Sequence, residues 1–236
     1  EQQGWVTREP SPESGRVTVA RLTDAGMEKV RETAPGHAAE VRRLIFDALD
    51  DERDVLVSAP TGSGKTLIGE YAAHRALARG GTCVYTTPIK ALSNQKFRQF
   101  RSRFGTDAVG LLTGDHSINP DADVVVMTTE VLRNMIYAES SILESLSCVV
   151  MDEIHYLGDR SRGVVWEEII LTLGTHVQLV GLSATVSNAD ELGDWLSSVR
   201  GDTAVISSTH RREVVFASSA GSIDRTSQSR RASCRG

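Results

Sequence analysis

Between residues 53 and 207, short apolar runs rich in Val, Ile and Leu alternate with longer stretches whose apolar positions recur every three to four residues. The runs at 55–59, 82–87, 108–112, 124–128, 148–152, 178–182 and 203–206 predict strands, and the stretches at 65–78, 90–104, 130–138 and 189–198 predict helices. Strands that are apolar on both faces belong in a mostly parallel sheet covered by helices on each side. The fold class expected is therefore α/β. In open sheets of this kind, ligands gather at the carboxyl ends of the strands, so chemistry is sought there.

The flanks have other textures. In residues 1–52, the segments at 5–9 and 16–20 enclose Pro10-Ser11-Pro12-Glu13-Ser14-Gly15, the pattern of a hairpin and its loop. Thr23 then fits an N-cap for a helix over 24–34, and Pro35-Gly36 separates it from a second helix over 37–49. Residues 208–236 carry six Arg against one Asp and one Glu, many Ser and no apolar periodicity, which predicts a disordered basic tail. The expected division is thus an appendage (1–52), a central domain (53–207) and a tail (208–236).

Composition narrows the picture. At 236 residues and 40% apolar, the chain can bury a sizeable core, and 5% aromatics suit aliphatic parallel strands. The net charge of −5 excludes binding of nucleic acid by bulk electrostatics, so any such contact is local. Cys83, Cys148 and Cys234 have no metal-ligand spacing, which suits a reduced, cytoplasmic protein. No apolar stretch reaches bilayer-spanning length. A first residue other than Met is read as the mark of a fragment.

The strongest motif follows the first central strand and opens the first helix: Ala59-Pro60-Thr61-Gly62-Ser63-Gly64-Lys65-Thr66. A glycine-rich turn there lets backbone N–H groups converge on phosphates at a helix N-terminus. Lys65 is placed to reach β/γ oxygens, and Thr66 to ligate Mg²⁺. The spacing is that of a P-loop, with Ala59 in place of its first Gly. Some ninety residues on, an apolar strand delivers Asp152 and Glu153, then Ile154 and His155. Asp152 can hold a Mg²⁺ hydration shell and Glu153 can polarise an attacking water, so the two motifs together predict hydrolysis of a nucleoside triphosphate such as ATP with Mg²⁺.

On these and further motifs, residues 55–207 resemble the first RecA-like domain of the Ski-like DExH-box RNA helicases of superfamily 2, and HelY-type members in particular. Asp152-Glu153-Ile154-His155 resembles the DExH box. The run from Thr86 to Lys96, with Thr87, Pro88, Lys90 and Gln95, resembles motif Ia. Thr113 with Gly114, and Thr129 with Arg133, resemble the next two strand-binding motifs, and Ser183-Ala184-Thr185 resembles motif III. The resemblance implies that these Thr-bearing segments hold single-stranded RNA or DNA, and that His155, Ser183 and Thr185 couple the strand to the nucleotide. Independently, Thr and Gly at strand ends and helix starts can hold sugar-phosphate oxygens without reading bases; each Thr alone is better read as a helix cap or turn former, and only the ordered set favours strand binding.

Two departures accompany the resemblance. Residues 40–49, upstream of the P-loop, hold no Gln of the kind by which this family recognises adenine; the first zone resembles the wing and following helices of MarR-type winged-helix regulators. That suggests a winged-helix remnant joined to a motor domain near residues 49–54, and an alternative reading as a DNA-binding module acting through Arg8, Arg16 and Arg21. No second RecA-like domain follows, so the chain is expected not to unwind nucleic acid by itself. A P-loop kinase is disfavoured by the Asp-Glu-Ile-His and Ser-Ala-Thr pair.

Overall fold

Successive residues of a strand point to opposite sides of a sheet, and both sides here are apolar. In the computed structural model, which describes residues 6–11, 14–23, 25, 40–159, 161–184 and 188–207, Val55, Val57, Tyr85, Val126 and Val150 enter one core. Their neighbours Leu56, Val84, Val125, Met127, Val149 and Met151 enter another.

A short hairpin comes first: β1 (Val6–Ser11) pairs antiparallel with β2 (Ser14–Leu22), so the strands run further into the expected loop than the sequence suggests. After it, residue 25 and α1 (residues 40–50) are helical. The remainder of the two helices expected over 24–49 lies outside the described residues, as does the tail expected at 208–236.

The main sheet then forms from β3 (Asp54–Ser58), β4 (Thr82–Thr87), β5 (Val109–Thr113), β6 (His116–Ile118), β7 (Val124–Thr128), β8 (Leu146–Asp152), β9 (Gln178–Ser183) and β10 (Thr203–Ser207). Its eight strands lie in the order β10-β3-β9-β8-β4-β7-β5-β6, all parallel except β6, which returns antiparallel to β5. One face is covered by α1, α2 (Lys65–Ala78) and α3 (Lys90–Phe104) through residues such as Ile45, Leu49, Ile68, Ala72 and Phe100. The other is covered by α4 (Thr129–Tyr137), α5 (Gly163–Thr172) and α6 (Ala189–Arg200) through Leu132, Trp166, Ile169, Ile170 and Leu196. The expected α/β architecture, a mostly parallel sheet between helices, is the one found.

Helix α5 and strand β6 are not among the predicted elements. The α5 sequence, Gly-Val-Val-Trp-Glu-Glu-Ile-Ile-Leu-Thr, is β-branched enough to read as strand, and only packing of Gly163, Trp166, Ile169 and Ile170 on one side makes it a helix. Strand β6 is three exposed residues without alternation.

Helix α1, grouped by sequence with the first zone, packs in the central core: Val41, Ile45, Ala48 and Leu49 join Val55, Val57 and Val180. Gln178 Nε2 donates to Leu49 O at 3.2 Å and to Arg53 O at 2.8 Å, tying the helix to β9. At the amino ends of the strands, Arg200 donates to Asp54 Oδ2 at 2.6 Å and to the carbonyls of Leu173 and Val177, while Asp54 Oδ1 accepts Leu179 N–H. This buried clip fixes the start of β3, whose far end carries the glycine-rich turn.

Candidate active site at the carboxyl edge of the sheet

Because seven strands are parallel, their carboxyl ends share one edge. Across it stand, in order, the glycine-rich turn after β3, Ser183 on β9, Asp152 on β8, Thr87 on β4, Thr129 after β7 and Thr113 on β5. Residues up to 126 apart in sequence become neighbours on this rim. Sequence alone orders the motifs along the chain; the sheet order decides that the acids sit between the glycine turn and the threonines.

The turn requires its glycines. Gly62 and Gly64 have φ of 83° and 91°, a left-handed conformation that a side chain would strain, and Gly64 caps α2 with no side-chain bond. Ala59 N–H donates to Ser183 O at 3.1 Å, and Ser58 Oγ to Ala184 O at 3.1 Å, so the turn is anchored on the β9 tip. Ser63 Oγ and Ser183 Oγ are buried without a hydrogen-bond partner. Lys65 folds over the turn, its Nζ donating to Ala59 O at 2.6 Å and Pro60 O at 3.1 Å. Burial holds the Lys65 ammonium below the usual lysine range; the nearby Glu153 and Asp152 carboxylates oppose this and Lys96 adds to it.

Asp152 is buried at the β8 tip. Its Oδ2 accepts the Tyr85 hydroxyl at 2.8 Å and lies 3.4 Å from Lys96 Nζ, while Oδ1 accepts Glu153 N–H at 3.1 Å. Burial first, then the Asp152 charge, push the Tyr85 phenol well above its ordinary value, so it remains a donor. Lys96 Nζ also donates to Thr66 Oγ1 at 2.6 Å, so one ammonium joins the P-loop threonine to the first acid. Glu153 adopts φ 56°, a left-handed backbone unusual for glutamate, and its Oε2 lies 3.3 Å from His155 Nδ1. His155 stacks on Tyr156, which stacks on Trp166.

The expected nucleotide residues Ala59 to Thr66, Asp152 and Glu153 and the expected coupling residues His155 and Ser183 are thereby brought together; the third coupling residue, Thr185, lies outside the described residues. A triphosphate with Mg²⁺ fits the donors present: a left-handed glycine cradle, a buried serine hydroxyl without a partner, an ammonium that needs a counter-charge and two acids opposite.

The expected strand residues occupy the other half of the edge, but not as free hydroxyls. Thr87 Oγ1 bonds Ile89 O and Ser93 Oγ, and Thr129 Oγ1 donates to Thr87 O. Lys90 is bound to Asp115, whose other oxygen accepts the Thr113 hydroxyl. Arg133 faces Glu168 at 3.6 Å. Gln95 and Gly114 are exposed, and Pro88 is buried. Sequence reading assigned no role to Tyr85, took in Lys96 only as the last residue of motif Ia, and singled out Thr113 and Gly114 rather than the adjoining Asp115. Tyr85 and Lys96 need the β4–β8 adjacency to be seen, whereas Asp115 was signalled by its place beside Thr113 and Gly114.

The parallel sheet with its loaded carboxyl edge defines a RecA-like α/β domain. A crystal structure of the Pyrococcus furiosus Hef helicase domain superposes with a TM-score of 0.56 at 25% identity, over 74% of this chain and 38% of that one. The family profile for DEAD/DEAH box helicases matches residues 40–192, and the chain belongs to that family. A relative from Mycobacterium leprae named "Probable helicase HelY" is 61% identical over 164 residues, covering 70% of this chain and 18% of its own length. The "Antiviral helicase SKI2" of Saccharomyces cerevisiae is 45% identical over 169 residues, covering 70% and 13%. The chain therefore spans less than a fifth of the length of these relatives. The match begins after the hairpin, so the MarR-like resemblance of the first zone rests on its sequence alone.

Proposed function

We propose that this chain is the ATP-binding and hydrolysing half of a Ski-like DExH helicase motor that grips the backbone of single-stranded RNA or DNA. The observation that carries the reading is the meeting of the glycine-cradled Lys65–Thr66 pair with Asp152 and Glu153 on one sheet edge. In it, backbone N–H groups from Gly62 to Thr66 hold phosphate oxygens and Lys65 leaves the Ala59 and Pro60 carbonyls for them. Thr66 and Asp152 are the residues that would hold Mg²⁺, which would supply charge neutralisation at the phosphates when bound. Glu153 orients and deprotonates the attacking water, with His155 beside it to receive the signal. Ser183, whose carbonyl anchors Ala59, and Thr185 link the turn to the strand half.

Thr87, Pro88, Lys90, Gln95, Thr113, Gly114, Thr129 and Arg133 form the strand track in this reading. The Thr87 and Thr129 hydroxyls serve to shape it, leaving backbone N–H groups and the cations as the phosphate contacts. The RNA preference comes from the relatives' names alone. We place the start of the motor unit at or before residue 40, because α1 packs in its core and falls within the family match, and keep the hairpin as an appended element. Among the described residues no helix is long and apolar enough to cross a membrane; a reducing, cytoplasmic setting suits the free, buried Cys83 and Cys148.

The test is ATP hydrolysis with and without single-stranded RNA, before and after adding the second RecA-like domain of a full-length HelY relative. Strand-stimulated turnover that requires the added domain and is lost in Glu153→Gln is expected. Turnover untouched by Glu153→Gln overturns the reading.

A further inference from the structure

Lys96 sits two turns into α3, with its side chain 11% exposed and its ammonium 5.4 Å from the Tyr85 ring centroid. It donates to Thr66 Oγ1 at 2.6 Å and lies 3.4 Å from Asp152 Oδ2. These are the two side chains to which the proposed reading gives Mg²⁺. Lys65, the cation around which the turn is built, is engaged by the carbonyls of Ala59 and Pro60. The charge lying directly against the buried Asp152 carboxylate is therefore that of Lys96, backed by the Tyr85 hydroxyl on the same oxygen. A buried carboxylate is tolerated only when it is paired and hydrogen-bonded, and these two donors meet that need.

We propose that Lys96 is the internal counter-ion of the metal position: its ammonium bridges Thr66 and Asp152 while no divalent cation is there, and it leaves them when Mg²⁺ is seated. The inference rests on the nucleotide reading above. Two cations cannot share the same pair of oxygens, because at this separation their repulsion in a partly dry site is large. Metal binding is then an exchange of one cation for another rather than the filling of an open site, and Lys96 lowers the apparent Mg²⁺ affinity. In return it keeps Thr66 and Asp152 from drifting apart between turnovers. Lys96 is thus a positioning residue that acts through the metal ligands.

The 236-residue chain is titrated with a methylanthraniloyl-labelled, non-hydrolysable ATP analogue, once in EDTA and once in saturating Mg²⁺, and the ratio of the two dissociation constants is read. Lys96→Met, of similar length and uncharged, is expected to raise the ratio about tenfold, within the usual span of coupling between two sites. Lys96→Arg, which retains the cation, keeps it within about twofold of wild type. Arg98→Met removes the same charge from an exposed position of the same helix and also leaves the ratio within about twofold. Should Lys96→Met fail to fold, Lys96→Gln carries the same expectation. A ratio unchanged or lowered on removing the Lys96 charge overturns the proposal, as does an equal rise in Arg98→Met. Wild type that binds the analogue in Mg²⁺ but gives a flat variant ratio overturns the role of Lys96 alone; wild type that never binds overturns the nucleotide reading with it.

Discussion

Removing Arg200 should unfold this domain more readily than any surface ion pair could. Its side chain is 2% exposed and meets Asp54, itself 10% exposed, at 2.6 Å, while its other nitrogens serve the carbonyls of Leu173 and Val177 at 2.9 and 2.7 Å. Arg200→Ala leaves the Asp54 carboxylate buried without its counter-charge and two carbonyls uncapped, a loss of about 3–5 kcal/mol. That is a large share of the roughly 5–15 kcal/mol by which a domain is stable. With a urea slope of about 2 kcal/mol per molar, the unfolding midpoint falls by about 2 M. Urea titration followed by tryptophan fluorescence reads it, since Trp166 is buried in the second core and Trp195 is packed against it. The Arg103–Glu70 pair, whose arginine is 49% exposed, provides the contrast: Arg103→Met costs under about 1 kcal/mol. Adding Asp54→Asn to Arg200→Ala should recover part of the loss, because the uncompensated charge disappears while an acceptor for Leu179 N–H remains. An Arg200→Ala midpoint within about 0.5 M of wild type would refute the claim that this clip holds the amino ends of β3 and β9 together.

Other consequences are as specific. Asp115 occupies the ammonium of Lys90 and the hydroxyl of Thr113, so Asp115→Asn should raise affinity for single-stranded RNA about three- to tenfold at low salt, read by fluorescence anisotropy; no gain would remove these two residues from the track. Asp115 is held at about 2 by Lys90 first and His116 next. Because that value is depressed, the contacts are complete above the ordinary carboxylate range and vanish as pH falls through about 2; Lys90→Met should return the carboxyl toward its ordinary value in an NMR titration, and an unmoved midpoint would deny the pairing. Gly163→Ala should be destabilising by about 1–3 kcal/mol in a urea titration, because its Cβ would meet Leu157 O at 2.1 Å, a backbone atom that cannot rotate aside; a neutral result would mean that α5 can shift freely away from the turn behind the acids.

Much of this molecule could be read from its residues, for identifiable reasons. Val55-Leu56-Val57 and Val124-Val125-Val126 are apolar at every position, which suits strands covered on both faces, and Gly62-Ser63-Gly64-Lys65 follows the first of them as the left-handed glycine turn that the structure forms there. Hidden was whatever depends on which strands are neighbours. Tyr85 and Lys96 reach Asp152 only because β4 lies beside β8, an order no local pattern encodes. Helix α5 was hidden because its Val and Ile residues prefer strands until Trp166 and Ile169 find the second core. The assignment of α1 to the first zone followed its resemblance to a winged-helix segment, whereas Ile45 and Leu49 are fully buried against the central strands. The threonines illustrate a different limit: Thr87 and Thr129 lie on the expected edge, yet their hydroxyls bond within the chain, a choice that spacing does not disclose.

The proposed activity requires Lys65 to serve a triphosphate in the glycine turn. Calorimetric titration of Mg-ATP into wild type and Lys65→Ala, with both folds verified by circular dichroism, measures this directly. Wild type is expected to bind, and the variant to lose at least about tenfold in affinity, about 1.4 kcal/mol or more. Equal affinity in the two proteins would contradict it.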